Sequence, residues 1–91
     1  MLYFYVYILQ CNDNSFYTGH TDNLEKRISE HNNGKFAGYT STRLPVKLVF
    51  HQEFGTRLEA LEAERKLKNW SKIKKETLIE FGWEGFNKLK K

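Results

Sequence analysis

A single cysteine, a single proline and the lack of any long apolar run set the first limits on this chain. Cys11 cannot close an internal disulfide, so a packed core must hold the fold, and the lone thiol points to a reducing compartment. No run approaches the ~18 apolar residues that a membrane span requires. Met1 to Gln10 has neither the basic head nor the small-residue cleavage site of a secretory leader, so a cytoplasmic protein without a membrane partner is expected. Internal repeats, low-complexity segments and linkers are absent, as is any Cys/His set with zinc spacing. The 91 residues suit one domain with a modest core and leave no room for a separate recognition domain.

What the chain has in quantity is aromatic and basic character. Two Trp, five Tyr and seven Phe within a 40% hydrophobic composition argue against disorder. Fifteen Lys and Arg against eleven Asp and Glu leave a formal charge of +4, which favours a polyanionic partner without requiring one. Leu2 to Gln10 is aromatic and β-branched with one polar residue, as a strand covered on both faces and central in its sheet would be. Asn12-Asp13-Asn14-Ser15 supplies turn residues, and Phe16-Tyr17-Thr18 returns as the second strand of an antiparallel hairpin. Asp22 and Glu25 read as a capping box for a helix from about Asn23 to Asn32, with Gly34 past its end. Val46 to Phe54 rejoins the sheet, with Leu48 and Phe50 on one face. Thr56 and Glu59 form a second capping box, for a helix from about Arg57 to Asn69. Ser71 caps a third helix that ends near Phe81, with Gly82 as its stop. The expected fold class is a small α/β (α+β) domain: a three-stranded, mostly antiparallel sheet flanked by three helices.

The chemistry concentrates between Tyr7 and His31. Tyr7 and Tyr17 on the hairpin, and Arg27 and His31 on the helix after it, bring two phenols, a guanidinium and an imidazole into one supersecondary unit. Leu24 and Ile28 mark the inward face of that helix, and Arg27 and His31 fall beside or within it at helical spacing. Packing alone would make Arg27 a rim residue with a solvated head and His31 a satisfied core histidine. Taken with both tyrosines, the set reads better as a site. Glu64 raises the same question, because a carboxylate among Ala60, Leu61 and Leu67 must be paired, protonated or bound to a cation. A salt bridge to Arg27 would answer it, and so would a metal ion.

Two further segments are basic. Gly34 to Pro45 holds two glycines, four hydroxyl groups, Lys35 and Arg43, and no acid. It suits a loop that tracks a phosphate backbone and equally an ordinary solvated loop. Arg65 to Lys75 sets six cations, Arg65, Lys68, Lys72 and Lys75 among them, around Trp70 with no acid. Such a stripe fits a nucleic-acid footprint, a solvated helix face being the alternative. His51 reads as a surface residue.

Tyr5-Val6-Tyr7, then Tyr17-Thr18-Gly19, then Arg27 and His31 four apart on the next helix resemble the signature of the GIY-YIG nuclease family. With Glu64 the likeness spans about residues 3 to 81. It is similar in particular to the small stand-alone UPF0213 or YhbQ-like members, and it resembles the N-terminal catalytic domain of the DNA-repair excinuclease. Tyr5-Val6 stands where the motif has Gly-Ile, and Thr18 where it has Ile. The resemblance implies a metal-dependent endonuclease that hydrolyses phosphodiester bonds, selective for structure more than sequence. DNA is favoured over RNA as substrate, with a setting in DNA repair and room for a protein partner that supplies specificity. It implies Tyr7 or Tyr17 as the base or its orienter, Arg27 on the scissile phosphate, and His31 on a tyrosine hydroxyl or a phosphate oxygen. Glu64 would be the sole protein ligand of Mg²⁺ or Mn²⁺. Gly19 and His20, the latter where several relatives place a Lys, join Lys35, Arg43, Arg65, Lys68, Lys72 and Lys75 as expected nucleic-acid contacts. The catalytic Asn of many members has no counterpart, since Asn69 is too near Glu64, position 76 is Glu and Asn87 falls in the tail. The alternative is a nucleic-acid-binding module of the same fold, weak or inactive in catalysis.

Overall fold

Strand β1, Phe4–Gln10, lies in the middle of a three-stranded sheet ordered β2-β1-β3, with β2 spanning Phe16–Thr21 and β3 spanning Lys47–Phe54. Both pairings are antiparallel. The structure, a computed structural model, describes residues 3–35 and 38–89, so Leu2 of the expected first strand and Phe36 and Ala37 of the basic loop lie outside it. The hairpin turn is closed by Cys11 N donating to Ser15 O at 2.8 Å, and Asn14 takes the left-handed conformation at φ 67° that Asn tolerates well. β2 runs past Thr18 to Thr21, because β1 offers partners as far as Tyr5, which pairs with Thr21.

Helix α1 covers Leu24–Asn32. Its cap is Asn23, not Asp22: Asn23 Oδ1 accepts from Lys26 N at 3.1 Å, while Thr21 Oγ1 holds Asn23 N at 3.1 Å and so sets the capping position one residue later. Asp22 instead faces Arg57 at 3.5 Å. At its other end, Asn32 donates to Val46 O and accepts from Val46 N, at 3.1 and 2.8 Å, which ties α1 to the approach of β3.

A register shift opposite Ile8 and Leu9 corrects the expected alternation in β3. Ile8 pairs with Phe50 but Leu9 pairs with Leu48, so β3 carries one extra residue there. The bulge sends Phe50 to the face of Val6 and Ile8, and Leu48 to the face of Tyr7 and Leu9. Leu48 and Phe50 therefore do not share a face.

Helix α2, Arg57–Lys68, starts at the expected box, with Thr56 Oγ1 accepting from Glu59 N and donating to Glu59 Oε1. Helix α3 spans Lys72–Leu89 and begins with Ser71 Oγ accepting from Lys74 N at 3.2 Å. Gly82, at φ 75°, breaks it as expected, yet the helix resumes instead of ending. Trp83 and Phe86, three apart beyond the break, give the added turns a buried face: Trp83 stacks on Phe50 at 6.3 Å and Phe86 meets Trp70 at 4.8 Å.

The sheet thus separates two apolar layers. Val6, Ile8 and Phe50 pack with Ala63, Leu67, Leu78 and Phe86 of α2 and α3, and Tyr7, Leu9 and Cys11 pack with Leu24 and Ile28 of α1. No helix among the described residues is long and apolar enough to cross a membrane.

Candidate active site

Tyr7 and Gly19 face each other across β1 and β2, so their side chains belong to the same face of the sheet. The phenol of Tyr7 lies over Gly19: a Cβ there would stand 2.5 Å from Tyr7 Oη and 2.7 Å from its Cζ. Only hydrogen at that position leaves the ring its place. Tyr7 is 1% exposed, and its hydroxyl meets His31 Nε2 at 3.2 Å. The Arg27 guanidinium lies near enough for its charge to act on that hydroxyl. Tyr17 closes the group, with its ring edge-on to His31 at 5.2 Å and 6.4 Å from that of Tyr7. Tyr7, Tyr17, Gly19, Arg27 and His31 are therefore brought together by one hairpin and one helix.

Burial, and next the nearby Tyr17 phenol, push the Tyr7 hydroxyl up to about 12 against the opposing pull of Arg27. Burial and then the Arg27 charge hold the His31 imidazole below its usual range, with Glu30 opposing weakly. At neutral pH the first keeps its proton and the second stays neutral. The other ring nitrogen, His31 Nδ1, meets Thr40 Oγ1 at 3.0 Å. Thr40 lies 2% exposed on a 3₁₀ turn, Tyr39–Thr42, inside the basic loop. Sequence reasoning missed it, since one hydroxyl among four in a loop carries no periodic signal.

Glu64 presents a different chemistry at the edge strand β2. Its Oε1 accepts from His20 Nδ1 at 2.6 Å and its Oε2 from Lys68 Nζ at 2.8 Å, with the side chain 12% exposed. The carboxylate is thus paired, and its partners are His20 and Lys68 in place of the salt bridge to Arg27. Arg27 sits 3.7 Å from Glu30 one turn along α1. Burial raises the Glu64 pKa, but hydrogen bonds from Lys68 and His20 outweigh it and leave the group below the ordinary carboxylate range. Lys68, four residues after Glu64, was the readable partner. Glu64 and Lys68 lie near enough to the phenols to be felt there, Glu64 raising Tyr7 and Lys68 being raised by Tyr17.

The remaining cations divide into groups. Lys72 stands over the Phe16 ring at 5.7 Å, and both line a hollow of about 270 Å³ with Lys75, Asp13 and Ser15. Burial, then the neighbouring Lys68 ammonium, lowers the Lys75 pKa, so a basic strip runs from Glu64 past Lys68 to the hairpin tip. Arg65 is exposed on α2, and Lys35 is exposed beyond α1. Arg43 is held within its own loop: it donates to Asp13 Oδ2 at 3.0 Å and Tyr39 O at 2.7 Å, and lies 3.9 Å over the Tyr39 ring. The loop hydroxyls of Thr40, Ser41 and Thr42 are likewise engaged, with His31, Gly38 O and Arg43. That leaves the backbone-tracking reading of the loop with few polar groups to spare. Asn69 caps α2 and donates to Arg65 O, and Asn87 is exposed on the last turns of α3.

Residues 3–77 match the family model described as the GIY-YIG catalytic domain. The chain belongs to the GIY-YIG family. Among its relatives is a UPF0213 protein of Staphylococcus saprophyticus, 49% identical over 86% of this chain and 95% of the relative. Another, from Haloquadratum walsbyi, is 48% identical over 88% of this chain and 90% of its own. The solution NMR structure of a UPF0213 protein from Bacillus halodurans shares the fold at a TM-score of 0.58 and 42% identity, covering 88% of this chain and 85% of that one. The small stand-alone GIY-YIG proteins are thus the group into which this chain falls.

The donor chemistry allows a limited kind of metal site. Among the described residues no three His, Cys, Asp or Glu gather as a metal-holding set. Glu64 alone fits a hard divalent cation that keeps most of its water, provided that Lys68, 52% exposed at its side chain, swings off Oε2.

Proposed function

We propose that this GIY-YIG protein is a metal-dependent endonuclease that hydrolyses phosphodiester bonds of DNA, selecting structure more than sequence. The observation that carries the reading is the Tyr7 hydroxyl, buried over Gly19 and set against His31 Nε2, with the Arg27 charge acting on it. A phenol held near 12 gives up no proton to water at pH 7, so it can act as a base only while it passes its own proton on. His31 Nε2, neutral and 3.2 Å away, is the acceptor. In the proposed step, a water held by the Tyr17 hydroxyl loses a proton to Tyr7 Oη as the Tyr7 proton moves to His31. The resulting hydroxide attacks phosphorus in line with the leaving oxygen. Arg27 binds the phosphate with its planar fork and offsets the extra negative charge. Glu64 would hold Mg²⁺ or Mn²⁺, which supplies charge neutralisation at the phosphate and leaving oxygen.

The strip of Lys68, Lys72 and Lys75 supports electrostatic DNA contact beside Tyr17, with Arg65 on the same helix as Lys68 and His20 against Glu64. Gly19 serves Tyr7 in this reading, not DNA. Arg43 and Lys35 stand further away and are weaker candidates. A cytoplasmic setting and a partner protein that adds specificity complete the proposal.

One observation favours a second reading. Both oxygens of Glu64 already have side-chain donors, and the family Asn has no counterpart in the site, as a binding module without turnover would have it. Incubation of the purified protein with single-stranded, duplex, flap and branched DNA, with Mg²⁺ or Mn²⁺ and then with chelator, tests the two. Metal-dependent nicking that a Glu64→Gln variant lacks is expected. Tight, salt-dependent binding with no nicking on any substrate would replace the endonuclease with the binding module.

A further inference from the structure

The tautomer of His31 follows from the hydrogen bond at Tyr7. A buried phenol O–H needs an acceptor, and among the described residues the polar atom hydrogen-bonded to Tyr7 Oη is His31 Nε2. At 3.2 Å that nitrogen receives the phenol proton and therefore carries no hydrogen. In a neutral imidazole the single proton then sits on Nδ1, 3.0 Å from Thr40 Oγ1. Thr40 is itself fixed: Arg43 N donates to its carbonyl at 3.0 Å, and Arg43 Nη1 donates to the carbonyl of the preceding Tyr39.

We infer that Thr40 is a positioning residue for the proposed hydrolysis, its hydroxyl accepting from His31 Nδ1–H and so keeping Nε2 bare and aimed at the Tyr7 hydroxyl. His31 and Thr40 are 3% and 2% exposed, so bulk water is poorly placed to take over if the hydroxyl is removed. A buried Nδ1–H without an acceptor is unfavourable, and the ring can escape by moving its proton to Nε2 or by rotating. Either change costs the Tyr7 proton its acceptor. The kinetic part rests on the Tyr7–His31 relay proposed above; the tautomer does not.

Long-range ¹H–¹⁵N NMR of the imidazoles reads the tautomer directly, with the His31 signals assigned by their loss in His31→Gln. The wild type is expected to show Nδ1–H. Thr40→Val should lose that pattern and lower kcat by about tenfold with little change in KM, and Thr40→Ser should restore both. Because Thr40 is buried, Thr40→Ala is measured beside it, and the wild-type tautomer needs no variant. An Nε2–H His31 in the wild type would overturn the inference, as would a Thr40→Val or Thr40→Ala protein that keeps the Nδ1–H pattern or full turnover. If the wild type cleaves no DNA, the endonuclease reading fails while the tautomer still decides the role of Thr40.

Discussion

On the α1 side of the sheet, Tyr7, His31 and Thr40 are each no more than 3% exposed and meet their polar needs through uncharged groups, with Arg27 the one cation. At the β2 edge, the Glu64 carboxylate meets His20 and the Lys68 ammonium, and all three keep partial contact with water. The first arrangement is rigid, because its groups are buried and solvent cannot replace their partners. The second is exchangeable, because an exposed ammonium leaves a carboxylate at little cost. The proposed hydrolysis would draw on both: a proton path of fixed geometry and a charged seat at which Lys68 could give way to a metal.

The comparison breaks most visibly at Glu64. Glu64→Gln should reduce metal-dependent cleavage by about 10³-fold. Without metal its stability should stay within about 1 kcal/mol of wild type, since Lys68 turns to water. Thermal melts with and without Mn²⁺ check this, and a large loss in the metal-free variant would mean that the edge is as rigid as the α1 side.

Gly19→Ala probes the rigid side. The added Cβ meets the far end of a ring that His31 and Tyr17 hold in place, so a loss of about 1–3 kcal/mol is expected in denaturant unfolding. An unchanged midpoint would show that Tyr7 can move aside.

Acid should also discriminate. The folded state holds His31 below the ordinary His value of about 6.5, so as pH falls through that value the unfolded chain takes up a proton that the native chain refuses. Stability contributed by the neutral imidazole is therefore complete above about pH 6.5 and declines below it, at most by about 1.4 kcal/mol per pH unit. Glu64, being lowered, acts in a separate window below the ordinary carboxylate range. Melting temperatures of wild type and His31→Gln between pH 7 and pH 5 should differ in slope, with the variant flatter.

The smallest effect lies between the two regions. Among the described residues Thr18 Oγ1, on the α2 face of β2, is buried and has no hydrogen-bond partner. Thr18→Val keeps the shape and removes the unsatisfied hydroxyl, and should gain about 1 kcal/mol, read as a higher unfolding midpoint at unchanged m-value.

Much of this was legible in the residues. Tyr7, Tyr17, Arg27 and His31 announce a site because no packing requirement gathers such groups on one hairpin and helix, and Glu64 announces itself by its place among Ala60, Leu61 and Leu67. What stayed hidden depended on tertiary detail. The bulge that parts Leu48 from Phe50 is a matter of register, which period-two patterning takes for granted. The helical turns after Gly82 form because Trp83 and Phe86 find a core to cover, and a stop signal cannot show that. Thr40 reaches His31 through a loop whose path no local pattern predicts.

In the proposed relay, the Tyr7 hydroxyl passes the proton of the attacking water on to His31. Tyr7→Phe removes that one atom, and leaves the ring over Gly19 and the charged edge in place. The direct measurement is the single-turnover cleavage rate of Tyr7→Phe against wild type at saturating DNA and Mn²⁺. The relay predicts a fall of about 10²–10⁴-fold with DNA affinity nearly unchanged. A rate within about threefold of wild type would contradict it and move the base to another group.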